Sequence, residues 1–435
     1  MCSTLVMAAA VIGRREEVPW EEPVVPWSVH HLLSSASDPD PVAEPEPDGT
    51  AEDLRNLPPS GIRSEAARGL MRVASMDDVP SEVRAEVQQA IVLLSEDPAS
   101  RVRLEIAGNL TALYSTDESL FWRLAEGLAE HESSFQVLLF LSANTLSRLL
   151  HRQPGRVVSL AVQILERTGP YGGSKELADH LLAIMAVGHA VYAEPEADVQ
   201  LRALLSLPFS TPDALDAVIR PLRGALIYDD GASDGASIRA RAISVYERVA
   251  NRAQDQFAET TSRHADRSTL SPDDEQRLRA ALEVLDTVAA QVSFAIPDDR
   301  QIEKEGAAPA DVGRLMREAR GLLELLADVK HPGTHSHFVD LLVKTVHEDP
   351  AKTIRLLARS LGTGEAEIDL RHNEQLILDD VLKIIRAVLA DHRDLIQSDR
   401  EMRESLIAIL DGFVRAGWLK AYEMAAQLEG AVRSE

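Results

Sequence analysis

From Gly61 onward the apolar positions recur with the period of a helix. Val83, Val87, Ile91 and Leu94 fall at i, i+4, i+8 and i+11, one stripe on a helical surface. Pro80-Ser81 opens that stretch and Asp97-Pro98 breaks it. Val102, Ile106, Leu110 and Leu113 make the next stripe. The short break between the two predicts helices that pack as an antiparallel hairpin. Leu120, Leu124 and Leu128 continue the series, followed by Leu138, Leu141, Leu146 and Leu149. Thr211-Pro212 and Ser271-Pro272 each place a capping hydroxyl before a proline at the first helical position. Ser271 with Asp274 resembles a capping box with Asp in place of Glu. The one rival to a helix is Ala225–Tyr228, four residues too short to decide by period. The expected fold class is all-α.

The chain before Gly61 has a different texture. Met1–Ile12 predicts a short helix. The stretch Val18–Trp27 carries Val-Pro-Trp twice, and its prolines predict extended, polyproline-like backbone. After the apolar piece Val29–Leu33, residues 34–60 are rich in Pro, Asp, Glu and Ser, the composition of a solvated linker. This divides the chain into residues 1–33, the linker 34–60, helical repeats over 61–230, and further helical repeats over 231–435 that either continue the first set or stand apart from it. The polar stretches Asn251–Gln276 and Pro297–Asp311 read either as helix extensions or as breaks.

Internal repetition says more than periodicity. Ile62-Arg63-Ser64-Glu65-Ala66-Ala67-Arg68-Gly69-Leu70 aligns with Val102-Arg103-Leu104-Glu105-Ile106-Ala107-Gly108-Asn109-Leu110, about forty residues on, with Arg, Glu, Ala and Leu coincident. Asp97-Pro98-Ala99-Ser100-Arg101-Val102-Arg103-Leu104 has a distant echo in Asp349-Pro350-Ala351-Lys352-Thr353-Ile354-Arg355-Leu356. An Asp-Pro turn, then Val/Ile-Arg, then an Ala/Leu helix resembles the second-helix signature of HEAT and armadillo repeats. That resemblance implies a right-handed α-solenoid of antiparallel helix pairs, in which stacking buries a face that no pair buries alone. The arginine in such a pair can bond carbonyls or the Asp of a neighbouring turn. The segment from Gly61 to Leu150, with the Trp-Pro stretch before it, also resembles the C-terminal helical region of large bacterial ATP-binding signalling and defence proteins. That second likeness implies a sensor or scaffold part.

Composition narrows the function classes. At 45 % hydrophobic the chain can bury a sizeable core, and at 4 % aromatic that core is mostly aliphatic, which favours helices. Against 45 basic residues stand 70 acidic ones, for a formal charge of −25. Such a field repels phosphate backbones and anionic membranes. Thirty-eight of the basic residues are Arg and seven are Lys, a bias that genome composition produces without any function. The single cysteine, Cys2, makes neither an internal disulfide nor a cysteine zinc site. Val137–Leu150 and Leu181–Ala193 are the most apolar runs, too short to span a bilayer. Met1–Gly13 lacks the basic n-region of a secretory signal. The expected location is the cytoplasm, with no membrane contact.

Each catalytic pattern fails on chemistry. Gly169–Glu176 looks like a phosphate loop, but Ser174 stands where Gly is needed and Glu176 where a hydroxyl should hold magnesium. Gly231-Ala232-Ser233-Asp234-Gly235 matches a nucleophile elbow without the strand that would strain it. Asp229, Asp230 and Asp234 do not follow the EF-hand order. His331, His335 and His337 are the metal candidates, with His347 as a further ligand, but the H-E-x-x-H spacing is missing. Asp77-Asp78, Asp273-Asp274 and Asp298-Asp299 stand at helix starts, where the dipole favours acids. Arg63, Arg68, Arg72, Arg101 and Arg103 form the nearest thing to a basic patch, with Glu65, Glu96 and Glu105 at hand to neutralise them.

What remains is a surface for another protein. Trp20, Trp27, Phe121 and Trp122 are the candidate interaction residues, since aromatics supply most contact area per side chain; the Trp20–Trp27 segment reads first as wrapping the chain's own groove and second as docking in a partner, and Phe121-Trp122 as core or groove lining. The expectation is a non-catalytic scaffold or sensor that binds a protein, with no cofactor and no assigned small-molecule ligand. A nucleic-acid-binding helical repeat and a metal-dependent hydrolase built on His331, His335 and His337 are the alternatives.

Overall fold

The computed structural model describes residues 20, 22–42, 61–169, 174–228, 234–263, 270–297, 311–362, 374–415 and 418–433. All regular structure among these is helical. The expected helix at Met1–Ile12 lies outside the described residues.

Two compact units divide the chain. The first runs to His189 and takes back Glu194–Gln200; the second holds Ala190–Ala193 and everything from Leu201. The division therefore falls at residues 190–201, ahead of the sequence boundary drawn at 230.

The first unit contains α1 (Val24–Ser35), α2 (Ile62–Ala74), α3 (Ser81–Ser95), α4 (Ser100–Asn109), α5 (Thr111–Tyr114), α6 (Glu118–His131) and α7 (Phe135–Phe140). A π-helical turn, Leu141–Leu146, carries α7 into α8 (Ser147–Leu149), followed by α9 (Pro154–Thr168) and α10 (Lys175–Ala190). The stripes read from sequence are core: Val87, Ile91, Val102, Ile106, Leu110, Leu113, Leu138, Leu141 and Leu146 are all buried. Helix α2 packs on α1, α3 and α4, and α4 packs on α3 and α7.

The prediction of extended backbone through Trp27 is corrected here, because Val24–Ser35 is a helix. Pro26 is its third residue, where no intrahelical partner awaits an N–H, so proline stands there at no cost. Val25, Ser28, Val29, Leu32 and Ser35 form its buried face. Leu32 seats on Gly69 of α2, where an added Cβ would lie 2.6 Å from Leu32 Cδ2. Only glycine allows that approach.

The linker is likewise structured at its described end. The Arg63 guanidinium donates to the Asp38 carbonyl (2.5 Å) and the Pro41 carbonyl (2.7 Å), and the Ile62 N–H donates to the Asp40 carboxylate (3.1 Å). A segment that looks solvated by composition is anchored by a residue more than twenty positions on.

Beyond Ala190–Ala193, the second unit takes up the chain at Leu201 within α11 (Pro195–Ser206) and continues through α12 (Asp213–Ile219), a 3₁₀ segment (Arg220–Leu226), α13 (Gly235–Arg263) and α14 (Pro272–Ala295). It goes on through α15 (Val312–Glu318), α16 (Arg320–Asp328), α17 (Pro332–Thr345), α18 (Pro350–Leu361), α19 (Glu374–Asp391), α20 (Arg393–Ser398), α21 (Arg400–Arg415) and α22 (Leu419–Arg433). The 3₁₀ segment settles the Ala225–Tyr228 ambiguity against a strand. Helices α13, α14 and α17 pack in succession, as do α13, α16, α18 and α21. Ser271 caps α14 as read, accepting from the Asp274 N–H and donating to its carboxylate. Thr211 does not cap α12; Pro212 occupies the cap position and no side chain bonds there.

Candidate functional site

The forty-residue echo has a physical counterpart in a ladder of arginines. Arg63, on α2, grips the Asp97 carboxylate with Nε (2.7 Å) and Nη2 (3.0 Å) while Nη1 holds the Asp38 carbonyl. Arg103, on α4, grips the Glu132 carboxylate with Nε (2.7 Å) and Nη2 (2.8 Å) while Nη1 holds the Asp97 carbonyl (2.6 Å). Arg167 then donates to the Glu132 carbonyl. Each acid also closes its own turn two residues on: Asp38 accepts from the Asp40 N–H (3.0 Å), Asp97 from Ala99 (2.8 Å) and Glu132 from Ser134 (2.8 Å). One guanidinium thus reads two successive turns at once, using the fork that lysine lacks.

Asp97 and Glu132 are buried, 8 % and 5 % exposed, as is Arg63 at 8 %. Hydrogen bonding to Asp97 raises Arg63's affinity for its proton, against the opposing effect of burial. The same device appears in the second unit. Arg239 grips Glu318 and holds the Tyr228 carbonyl, and Arg355 reaches Asp399 (3.1 Å), which caps α21 through the Met402 N–H. That backbone bond, with Arg355, holds the Asp399 carboxyl below the ordinary range.

The basic patch read from sequence is therefore largely consumed internally. Arg63, Arg68 and Arg103 all hold carboxylates, Arg68 taking Glu105 in two bonds of 2.9 and 2.5 Å. Glu65 and Glu105 are used as read, and Asp97 and Glu132 are the further acids that hold Arg63 and Arg103.

The aromatic candidates separate into two kinds. Phe121 is 0 % and Trp122 2 % exposed, so both are core and present no surface to a partner. Phe121, Trp122 and Tyr114 meet edge to face, with centroids 4.8 Å apart for the first pair. The Trp122 indole N–H donates to Glu118 (3.1 Å), and the Arg156 guanidinium lies 4.2 Å from the ring centroid. This correction follows from α6 being covered on two sides, by α5 and by α9.

Trp27 is the opposite case. It lies on the outward face of α1, 40 % exposed, beside Val24 at 40 %. Its ring rests on His31, one turn along, with centroids 4.2 Å apart. Trp20 is half-buried and already engaged. A rigid helix, pinned through Leu32, thus presents an indole outward.

The histidines do not converge. His331 caps α17, its Nδ1 lying 3.3 Å from the Thr334 hydroxyl. His335 points into the core at 5 % exposure, its Nε2 without a hydrogen-bond partner. Burial pushes it down to about 4, helped by the Lys330 charge. His337 sits half-buried beside Phe294 and 4.0 Å from Asp286. Two residues apart on one helix, His335 and His337 face different directions. Among the described residues no group of three His, Cys, Asp or Glu side chains stands close enough to hold a metal ion.

Other patterns resolve structurally. His189 lies 3.7 Å from Asp198. Asp273 and Asp274 sit in the first turn of α14. Residues 170–173 of the phosphate-loop lookalike, 229–233 with Asp229, Asp230 and Ser233, and Asp298-Asp299 all lie outside the described residues. No described helix is long and apolar enough to cross a membrane.

Sequence reasoning missed one polar centre. Gln256, 2 % exposed, accepts from the Phe209 N–H (3.0 Å) and donates to the Phe209 carbonyl (2.8 Å) and the Arg277 carbonyl (3.1 Å). No local pattern marks it, since its partners lie in other segments. No protein-family model matches this chain, and no curated protein is similar to it.

Proposed function

We propose that this protein is a non-catalytic helical-repeat scaffold, its antiparallel helix pairs stacked as a HEAT-like solenoid, and that it binds a protein partner through the outward face of α1. The observation that carries the reading is Trp27, held 40 % exposed on a helix whose other face is buried. An indole in water is an unrealised gain. Covering its exposed part contributes roughly 2 kcal/mol to a complex, at the usual value per area of apolar surface. The helix does not have to order itself first, so little of that gain is lost on binding. The arginine ladder supports the repeat reading, because equivalent residues forty positions apart do equivalent work between successive turns. The likeness to the helical part of bacterial ATP-binding signalling proteins extends the proposal to a sensor role.

Little favours the alternatives. Arg63, Arg68 and Arg103 of the sequence-predicted basic patch are committed to carboxylates, and the net charge opposes the approach of a nucleic-acid backbone. The three metal candidates occupy a cap, a core and a flank.

The test is capture from native lysate by the wild-type chain, Trp27→Ala, and a control at another exposed aromatic, Phe294→Ala. The expected result is a stoichiometric protein held by the wild type and the control and lost from Trp27→Ala. Equal retention by all three would move the interface elsewhere. Substrate turnover by the purified chain, abolished by a single substitution, would overturn the scaffold reading.

A further inference from the structure

The second unit contains a cleft of about 440 Å³ whose lining includes Leu205, Pro208, Arg252, Glu259, Arg263 and Arg277. Its floor is built. Gln256 ties Phe209 on both its N–H and its carbonyl, and ties the Arg277 backbone as well. Thr260, 3 % exposed, donates to the Gln256 carbonyl (2.8 Å). Two chain segments are thereby fixed to α13, and the floor's polar groups are satisfied among themselves.

The walls are basic. Residues 252, 256, 259, 260 and 263 form one stripe of α13, at i, i+4, i+7, i+8 and i+11. Arg252 is partly spent: it donates to the Leu207 carbonyl (3.3 Å) and faces Glu259 at 3.9 Å. Arg263 and Arg277 are not spent. Among the described residues neither guanidinium has a hydrogen-bond or ion-pair partner. Elsewhere in this unit Arg220, Arg239, Arg320, Arg355 and Arg359 all hold carboxylates. Two unpartnered guanidinia in one cleft repel each other, and an anion between them reverses the sign of that interaction. Three arginines against one glutamate stand out in a chain of charge −25.

The chemistry selects the anion. A carboxylate has two oxygens and matches a single guanidinium fork, whereas a tetrahedral phosphate has enough acceptors for two forks at once. The volume suits a small molecule rather than a folded partner. Leu205 and Pro208 add apolar surface to the lining. We propose that this cleft binds a small organic phosphate, its phosphoryl group held between Arg263 and Arg277 and its remainder against Leu205 and Pro208. The site belongs to a different unit from Trp27 and does not rest on the scaffold reading.

The test is isothermal titration calorimetry of the full chain with pyrophosphate, inorganic phosphate and citrate at fixed ionic strength. The expected result is one saturable pyrophosphate site, with phosphate weaker and citrate weaker still. Arg263→Ala and Arg277→Ala should each weaken pyrophosphate about tenfold, the usual worth of a charge-assisted contact. Arg279→Ala, outside this cleft, should leave it unchanged. Circular dichroism melting shows whether each variant is folded, and Arg277→Gln provides a milder replacement if alanine perturbs α14. No saturable binding up to about 10 mM pyrophosphate would overturn the proposal. So would equal affinity in the double variant, and citrate binding as tightly as pyrophosphate would overturn the phosphate assignment.

Discussion

Acid should unfold this protein partly through one imidazole. His335 is 5 % exposed on α17, with Nε2 unpartnered and Lys330 adding positive charge nearby. Burial lowers it from 6.5 to about 4. The unfolded chain therefore binds the proton more readily than the folded one. Stability associated with the neutral ring is fully present above pH 6.5 and is lost as pH falls from there toward 4. Linkage gives a loss of about 1.4 kcal/mol at pH 5.5 and about 2.5 kcal/mol at pH 4.5. Replacing the ring by His335→Leu removes the titration and fills similar apolar space. Urea unfolding of both proteins from pH 7.5 to 4.5 isolates the effect, because the other groups titrate in each and cancel in the difference. The wild type should lose its standing relative to the variant by about 2.5 kcal/mol over that range. A difference that moves by less than about 0.5 kcal/mol would refute the argument, since the ring would then be reaching solvent or a partner when charged.

Four further outcomes follow from the packing. Arg103→Met leaves the buried Glu132 carboxylate unpaired and should cost about 3–5 kcal/mol in chemical denaturation, most of it recovered by adding Glu132→Gln. Phe121→Ala should cost about 3–5 kcal/mol while Trp27→Ala stays within about 1 kcal/mol, which separates the buried aromatic from the exposed one in the same assay. Gly69→Ala drives a Cβ into Leu32 and should cost about 1–3 kcal/mol. Combining it with Leu32→Ala should cost less than the sum of the two, a non-additivity that a double-mutant cycle reads directly.

The core was legible wherever one stripe faced one neighbour. Val102, Ile106, Leu110 and Leu113 recur at helical spacing because burial imposes that spacing, and all four are fully buried. Phe121 and Trp122, read as core or groove lining and also offered as partner contacts, are core, and the sequence left that choice open for the complementary reason. Adjacent residues on a helix point about 100° apart, so both are buried only when the helix is covered on two sides, which its own sequence does not announce. Helix α1 was misread because proline was weighed as a breaker without regard to position. The anchoring of Asp38 and Pro41 was invisible because composition is local and the residue that binds them, Arg63, is not. Gln256 was missed on the same grounds. The forty-residue echo, by contrast, carried its long-range message in the chain itself: Arg63 and Arg103 coincide in the alignment and make matching bonds.

That work bears on the arginine excess. A lysine ammonium is a single point and here serves as one: Lys330 donates to the Arg359 and Ser360 carbonyls at the end of α18, and Lys344 to Ser293. Holding a carboxylate in two bonds while a third N–H reaches the previous turn requires a planar fork. Arg63, Arg103 and Arg239 all use it in this way. The bias that genome composition alone could produce thus meets a structural demand in both units. Each cation drawn into a turn takes a carboxylate in with it, so this demand for arginine leaves the chain's acidic balance unchanged.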